Sequence, residues 1–281
     1  MSVTIAELNL FPIKGCRGIS LSRATLAATG LEVDGIGDRE WVIVDEDGEF
    51  LSQREYPRLS LVETRMTGSS LRLKAPGMLQ LEVPFDSEGD VVQARVWDDT
   101  VPAVTQGEIG DAWFSNFLGR PARLLRFDPE HRRLASHRWT GKDEAPYKFA
   151  DAFPLLVTGT ASLADLNARL QRAGQAAVDM ARFRANIVLA GLEAYDEDYL
   201  KQLRIGEAAL RAVKPCARCS VPGVDPATGE HDSAVPDMLA RYRDRRSGEP
   251  QGVMFGVNAI VSGGEGVLLR VGDTVDVTLD L

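Results

Sequence analysis

The chain has 281 residues, 44% of them hydrophobic and 26% charged, and a formal net charge of −9 at pH 7. That length allows one large domain or two ordinary ones with ample core. The acidic balance argues against a general nucleic-acid binder, which needs surplus Lys and Arg on one face. No apolar run of about 18 residues is present to span a bilayer, and residues 1–7 lack the basic start and apolar core of a signal peptide. The expectation is a cytoplasmic protein with no membrane partner, whose three cysteines stay reduced.

Residues 3 to about 105 read as short strands separated by turns. Residues 3–10 alternate in polarity, and Phe11-Pro12-Ile13-Lys14-Gly15-Cys16-Arg17-Gly18 breaks the run with one proline and two glycines. An extended pattern resumes over 19–27, residues 30–37 read as a turn region, and 41–51 read as a hairpin around Asp47-Gly48. Strands follow at 59–66, 71–74, 79–83 and 91–96, a spacing that predicts a barrel or sandwich. Near residue 107 the period changes. Ile109, Ala112, Trp113 and Phe117 lie at helical spacing within 108–118, and Gly119 ends the helix. Residues 122–127 form a strand, and the polar, irregular stretch 128–149 suggests a division into units 1–125 and 126–281.

The second unit opens with a buried strand at 154–158 and an amphipathic helix at 160–170 with a hydroxyl cap. Strands are expected at 187–189, 208–213, 252–261 and 274–279, with a short helix at 236–243. The fold class is mainly β with α+β elements.

Two of the three cysteines stand in Lys214-Pro215-Cys216-Ala217-Arg218-Cys219, ahead of a Pro/Gly/Asp-rich segment. Such a pair serves as a redox dithiol, half a zinc site, structural thiols, or one thiolate ligand to a soft metal centre. A thioredoxin-type pair opens a helix, which Pro222, Gly223 and Pro226 oppose. Structural zinc needs four ligands, and only Cys16, His131, His137 and His231 remain outside the pair. Basic residues recur in turns: Lys14, Arg17, Arg39, Arg54, Arg58, Arg184 and Arg218. Individually each is ordinary solvated surface. Collectively they suit an anionic, multi-phosphate or pterin-like ligand held by forked guanidinium contacts.

These residues carry a resemblance. Lys214 to Cys219, with Val224-Asp225-Pro226-Ala227-Thr228-Gly229, resembles the hallmark of the MOSC domain, named for the C-terminal part of molybdenum-cofactor sulfurases. Residues 11–18, Gly37-Asp38-Arg39-Glu40-Trp41 and residues 53–59 resemble the N-terminal β-barrel domain of that family, and residues 161–167, 182–187 and 272–275 agree as well. The resemblance implies a MOSC N-terminal β-barrel domain followed by a MOSC β-barrel with flanking helices. By pattern the nearest relatives are the mitochondrial amidoxime-reducing components and their bacterial counterparts.

The resemblance further implies a molybdenum-molybdopterin cofactor whose single protein ligand is Cys219, the catalytic residue. Lys14, Gly15, Arg39, Thr158, Thr160, Arg184, Asn186, Ala217 and Arg218 match cofactor-binding positions, whereas Cys216 reads as packing. This chain departs from the pattern at Gly15 and Ala217, where serine is common, and at Ala185, where proline is. Backbone N–H groups can serve in place of the two hydroxyls. The implied reaction is two-electron reduction of a small N-oxygenated substrate, with oxygen leaving as water and Asp225 or His231 as candidate proton donors. An iron–sulfur domain needs four cysteines, so electrons are expected from a separate flavoprotein, ferredoxin or cytochrome. The alternative is a non-catalytic sulfur carrier or cofactor-delivery protein that uses a Cys219 persulfide.

Overall fold

The structure, a computed structural model, describes residues 2–280. Its largest sheet runs in the order Ile19–Leu21, Thr4–Leu10, Ile187–Ala190, Leu155–Gly159, Gly252–Gly263, Ala208–Ala217, Leu200–Ile205 and Asp276–Leu279. The sheet curls back on itself. Ile5 N–H donates to the Asp273 carbonyl at 3.0 Å, and Gly272 and Val275 donate to Ile5 and Val3 at 2.8 and 2.9 Å. The segment leading into the last strand thus returns to the first, and the backbone groups of a potential open edge are paired. Alternate residues of these strands, among them Ile5, Leu8, Leu10, Val157, Leu189, Leu203, Leu210 and Val257, fill the interior. The parallel pair Leu155–Gly159 and Ile187–Ala190 is joined by the helix Thr160–Arg172, as parallel neighbours require a crossover.

A second body of strands lies against this barrel. One sheet orders Val91–Val96, Asp99–Thr105, Arg123–Phe127 and Trp41–Val44, and another orders Glu63–Met66, Ser70–Lys74 and Leu81–Pro84. The helix Glu108–Leu118 drives Trp113, Phe114 and Phe117 into a core shared with Trp41, Leu71 and Leu73. A further sheet pairs Leu268–Arg270 with Arg23–Ala27, Gly30–Val33 and Ile36–Gly37. The N-terminal segment therefore contributes two strands to the large sheet built mainly by residues beyond 150, and Leu268–Arg270 in turn joins three N-terminal strands. Mainly β architecture, expected from the short alternating runs, is what the chain adopts.

Several expected elements change. Residues 30–37 form a hairpin whose turn residues Asp34 and Gly35 have φ +51 and +78, the signature of a primed two-residue turn. Pro57–Leu61 is a 3-10 helix, because proline supplies a helical φ at its start, and the strand begins only at Glu63. The second arm of the hairpin after Trp41–Val44 is a single Val44–Phe50 bridge. Three further strands also form: Asp99–Thr105, which carries Pro102, the three-residue Leu268–Arg270, and Leu200–Ile205, whose Lys201, Gln202 and Arg204 leave few apolar positions to mark it. Thr160 is not a hydroxyl cap. Its helix end is served by the buried Glu197 carboxylate, which accepts from Gly159 N–H at 3.1 Å and Ser162 Oγ at 2.7 Å.

Two substitutions test the close approaches. Gly256 has φ +80, and a Cβ there would lie 2.8 Å from the Val157 carbonyl and 2.7 Å from Thr158 Cγ2, whereas Gly35, at φ +78, has nothing within 4 Å. Urea unfolding should show Gly35→Ala losing about 1 kcal/mol, from the left-handed backbone alone, and Gly256→Ala losing at least about 3 kcal/mol through added backbone overlap. Equal losses would contradict the crowding at that strand pair.

Buried Glu40 joins three segments by accepting from Arg126 Nη2 at 2.5 Å, Lys148 Nζ at 2.6 Å and Gly37 N–H at 2.7 Å. Burial alone would raise its carboxyl pKa, but Lys148, the Gly37 N–H and Arg126 together hold it below the ordinary value. The stabilisation is present above the unfolded carboxylate pKa and lost as pH falls through the folded one. Glu40→Gln should therefore cost roughly 1.5–3 kcal/mol at pH 7, with the difference from wild type shrinking below about pH 4. Parallel pH–stability curves would contradict this.

Candidate active site

The first strand delivers its loop to a cavity of about 330 Å³. Lys14 N–H donates to the Trp41 carbonyl at 2.8 Å, and Gly15, at φ +84, makes the turn that follows. The Lys14 ammonium is buried and donates to the Phe149 carbonyl at 2.9 Å and to Asp151 Oδ1 at 2.5 Å. Burial lowers its pKa, and Asp151 opposes that shift.

Arg39 and Arg184 both adopt left-handed backbone, with φ +50 and +57. Non-glycine residues rarely do so, and such strain is concentrated at functional sites. Their guanidinium carbons lie 4.3 and 4.4 Å from the centroid of the same Phe11 ring, a favourable cation–π distance. Arg39 pairs with buried Asp38 and donates to Asn186 Oδ1 at 3.3 Å and the Arg184 carbonyl at 3.2 Å. Arg184 donates to the Cys16 carbonyl at 2.6 Å and, among the described residues, has no carboxylate partner within 4.0 Å. Burial, then the charge of Arg39, weaken its hold on its proton, although a guanidinium stays cationic at neutral pH. The result is a desolvated excess of positive charge that an anion would neutralise.

The opposite wall is the end of the strand Ala208–Ala217, which runs past the expected end at residue 213. Its register slips against Gly252–Gly263 between Pro215 and Ala217, leaving Cys216 on the bulge. Arg218 N–H then anchors to the Val253 carbonyl at 2.7 Å, and Cys219 follows in the loop before the 3-10 turn Val221–Gly223. Arg218 donates to Cys216 Sγ at 3.2 Å and the Phe183 carbonyl at 2.9 Å, while its Nε is buried and, among the described residues, has no partner. A buried unsatisfied donor calls for an acceptor.

Lys14, Gly15, Arg39, Arg184, Asn186, Ala217, Arg218 and Cys219 all line this cavity. Thr158 and Thr160 do not. Thr158 is fully buried, its hydroxyl donating to Met180 Sδ at 3.3 Å, and Thr160 opens the helix. Asp225 lies outside the lining too, paired with Arg182 at 3.1 Å and accepting from Ala227 N–H at 2.7 Å. His231, also outside it, bridges to Val224. Gln53, Trp97, Asp151 and Asn258 join the lining without having been read from the sequence as site residues, as does Lys214 from the start of the Lys214–Cys219 stretch. Gln53 donates to the Gly15 carbonyl at 2.6 Å, and Asn258 to that of Lys214 at 3.1 Å. No spacing signal marks them, because each arrives on a different element.

Cys216 and Cys219 are half-buried on the lining, whereas Cys16 is fully buried and its thiol is pushed up to about 12 by burial, against the pull of Arg184. Ellman's reagent at pH 8 should therefore titrate two thiols in the folded, cofactor-free protein and the third only after unfolding. Three equally fast thiols would contradict the buried loop around Cys16.

The chain is similar to known proteins. The description "MOSC N-terminal beta barrel domain" matches residues 2–121 and "MOSC domain" matches residues 144–276. Mitochondrial amidoxime-reducing component 1 of Mus musculus is 36% identical over 85% of this chain and 71% of its own. Mitochondrial amidoxime reducing component 2 of Homo sapiens is 33% identical over 97% of this chain and 82% of its own. Among solved structures, the YuaD protein of Bacillus subtilis is 11% identical over 100% of this chain and 98% of that one, with a TM-score of 0.45.

Proposed function

The chain belongs to the MOSC family, and on that premise we propose that it is a molybdenum-cofactor-dependent reductase of small N-hydroxylated compounds. The observation that carries this reading is the convergence of Arg39, Arg184 and Arg218 with Cys219 on one cavity. The two guanidiniums flanking Phe11 have one carboxylate, Asp38, between them, and Arg218 has a buried donor without an acceptor. These residues fit an extended polyoxygen ligand bearing a phosphate and hydrogen-bonding ring atoms.

Lys14, Arg39, Arg184, Asn186 and Arg218 would hold the phosphate and pterin, with Gly15 and Ala217 offering backbone groups, and the Cys219 thiolate would be the protein ligand to the metal. When bound, the cofactor supplies the two-electron exchange that removes oxygen from the substrate as water. The protein's part is to neutralise the ligand's charge, hold the thiolate at a fixed loop position and leave the cavity mouth open to substrate. A separate electron-transfer protein would return the electrons. The names of the amidoxime-reducing relatives support the substrate class.

Protein made in a cofactor-competent host should carry molybdenum near one per chain, together with a pterin seen by fluorescence after oxidative release. Cys219→Ala should lose most of the metal and reduce benzamidoxime at least about 100-fold more slowly with a chemical electron donor, as loss of a metal ligand requires. Absence of both metal and pterin from the wild type would overturn the proposal.

A further inference from the structure

Trp97 occupies the first position of the two-residue loop between Val91–Val96 and Asp99–Thr105, where Val96 pairs with Asp99. Its φ is +56, in a place such loops usually give to glycine or asparagine. A bulky residue there is an outlier, and strain of this kind is tolerated where the side chain has a task. The indole reaches the cavity already described and remains 43% exposed. Its N–H donates at 2.9 Å to Asp151 Oδ1, the oxygen that also accepts the Lys14 ammonium at 2.5 Å. The ring meets Phe50 edge-on at 4.6 Å between centroids.

The guanidinium of Arg54 lies 4.5 Å from the Trp97 ring centroid. Arg54 is exposed, lines the cavity, and among the described residues its side chain has neither an ion pair nor a hydrogen bond. It is therefore a cation placed by an aromatic ring and left free to take a charge. The lining adds Lys14, Arg39, Arg184, Lys214 and Arg218, against Asp151 as its carboxylate. Asp151 already serves Lys14 and Trp97, so nothing on the lining competes for Arg54.

We propose that Arg54 and Trp97 form a selecting clamp at the cavity mouth that favours substrates bearing a carboxylate on an aromatic ring. The ring packs against Trp97 and Phe50, and the carboxylate takes the forked N–H groups of Arg54. The clamp rests on the reductase reading for its turnover test, but not for its binding test. The inner cations would hold the cofactor, whereas Arg54, solvent-exposed beside Trp97, would meet what enters.

The test compares 4-carboxybenzamidoxime with benzamidoxime on the metal-loaded protein. Wild type should prefer the carboxylate compound. Arg54→Gln and Trp97→Leu should each lower that preference, read as the ratio of kcat/KM values, by about ten-fold, mainly through KM. Arg54→Lys and Trp97→Phe should restore part of it. Molybdenum and pterin content of Arg54→Gln should equal wild type, because an anion held by Arg54 could otherwise be the cofactor's own phosphate. A preference ratio unchanged in Arg54→Gln, or a cofactor load that falls with it, overturns the clamp. If neither compound is reduced, the reductase reading fails, and calorimetric binding of the two compounds decides the clamp separately. Tighter binding of the carboxylate compound that Arg54→Gln abolishes supports it, and equal binding of both by wild type overturns it.

Discussion

The pairing of Thr4–Leu10 with Ile187–Ala190 is the constraint on which the site depends. Asn9 N–H donates to the Asn186 carbonyl at 2.9 Å, and the Asn186 amide returns a bond to the Asn9 carbonyl at 3.3 Å. This reciprocal link fixes the loop after the first strand against the turn that carries Arg184. Phe11 then falls between Arg39 and Arg184, and the Arg184 side chain reaches the Cys16 carbonyl. A strand slip of one residue would turn every side chain of the first strand to the other face and dissolve the arrangement.

Two like charges held in one partly desolvated place are costly unless each finds compensation. Here the compensation inside the protein is incomplete. Asp38 serves Arg39 and also accepts the Phe11 N–H at 2.9 Å, while Arg184 relies on a carbonyl and an aromatic face. Lys14 is held by Asp151 and a carbonyl. The backbone strain at Arg39 and Arg184 is sustained by hydrogen bonds around them, such as Arg39 N–H to the Phe11 carbonyl and Phe149 N–H to the Arg39 carbonyl. Such over-determination is how a fold keeps a binding surface ready before its ligand arrives.

Much of this was legible in the sequence, and the gaps have physical causes. The helix 108–118 could be read from Trp113, Phe117 and Gly119 because its apolar face and its stop are local. The barrel class followed from many short alternating runs. The pairing of the first strand with residues beyond 150 was not legible, since strand partners are chosen by long-range packing that no local pattern records. Within the site, Lys14, Arg39, Arg184, Arg218 and Cys219 could be named because turn positions and a family motif mark them. Gln53, Asp151 and Asn258 could not, because their value comes only from which carbonyl or ammonium they meet. Thr158 shows the reverse: the family resemblance implied a cofactor contact, yet its strand turns the hydroxyl into the core, toward Met180.

The role of Cys219 distinguishes a metal ligand from a neighbouring thiol, and molybdenum-edge X-ray absorption addresses it directly. Loaded wild-type protein should show one sulfur neighbour beyond those of the pterin, retained in Cys216→Ser and replaced by a lighter atom in Cys219→Ser. An unchanged sulfur count in Cys219→Ser, or its loss in Cys216→Ser, would contradict the assignment.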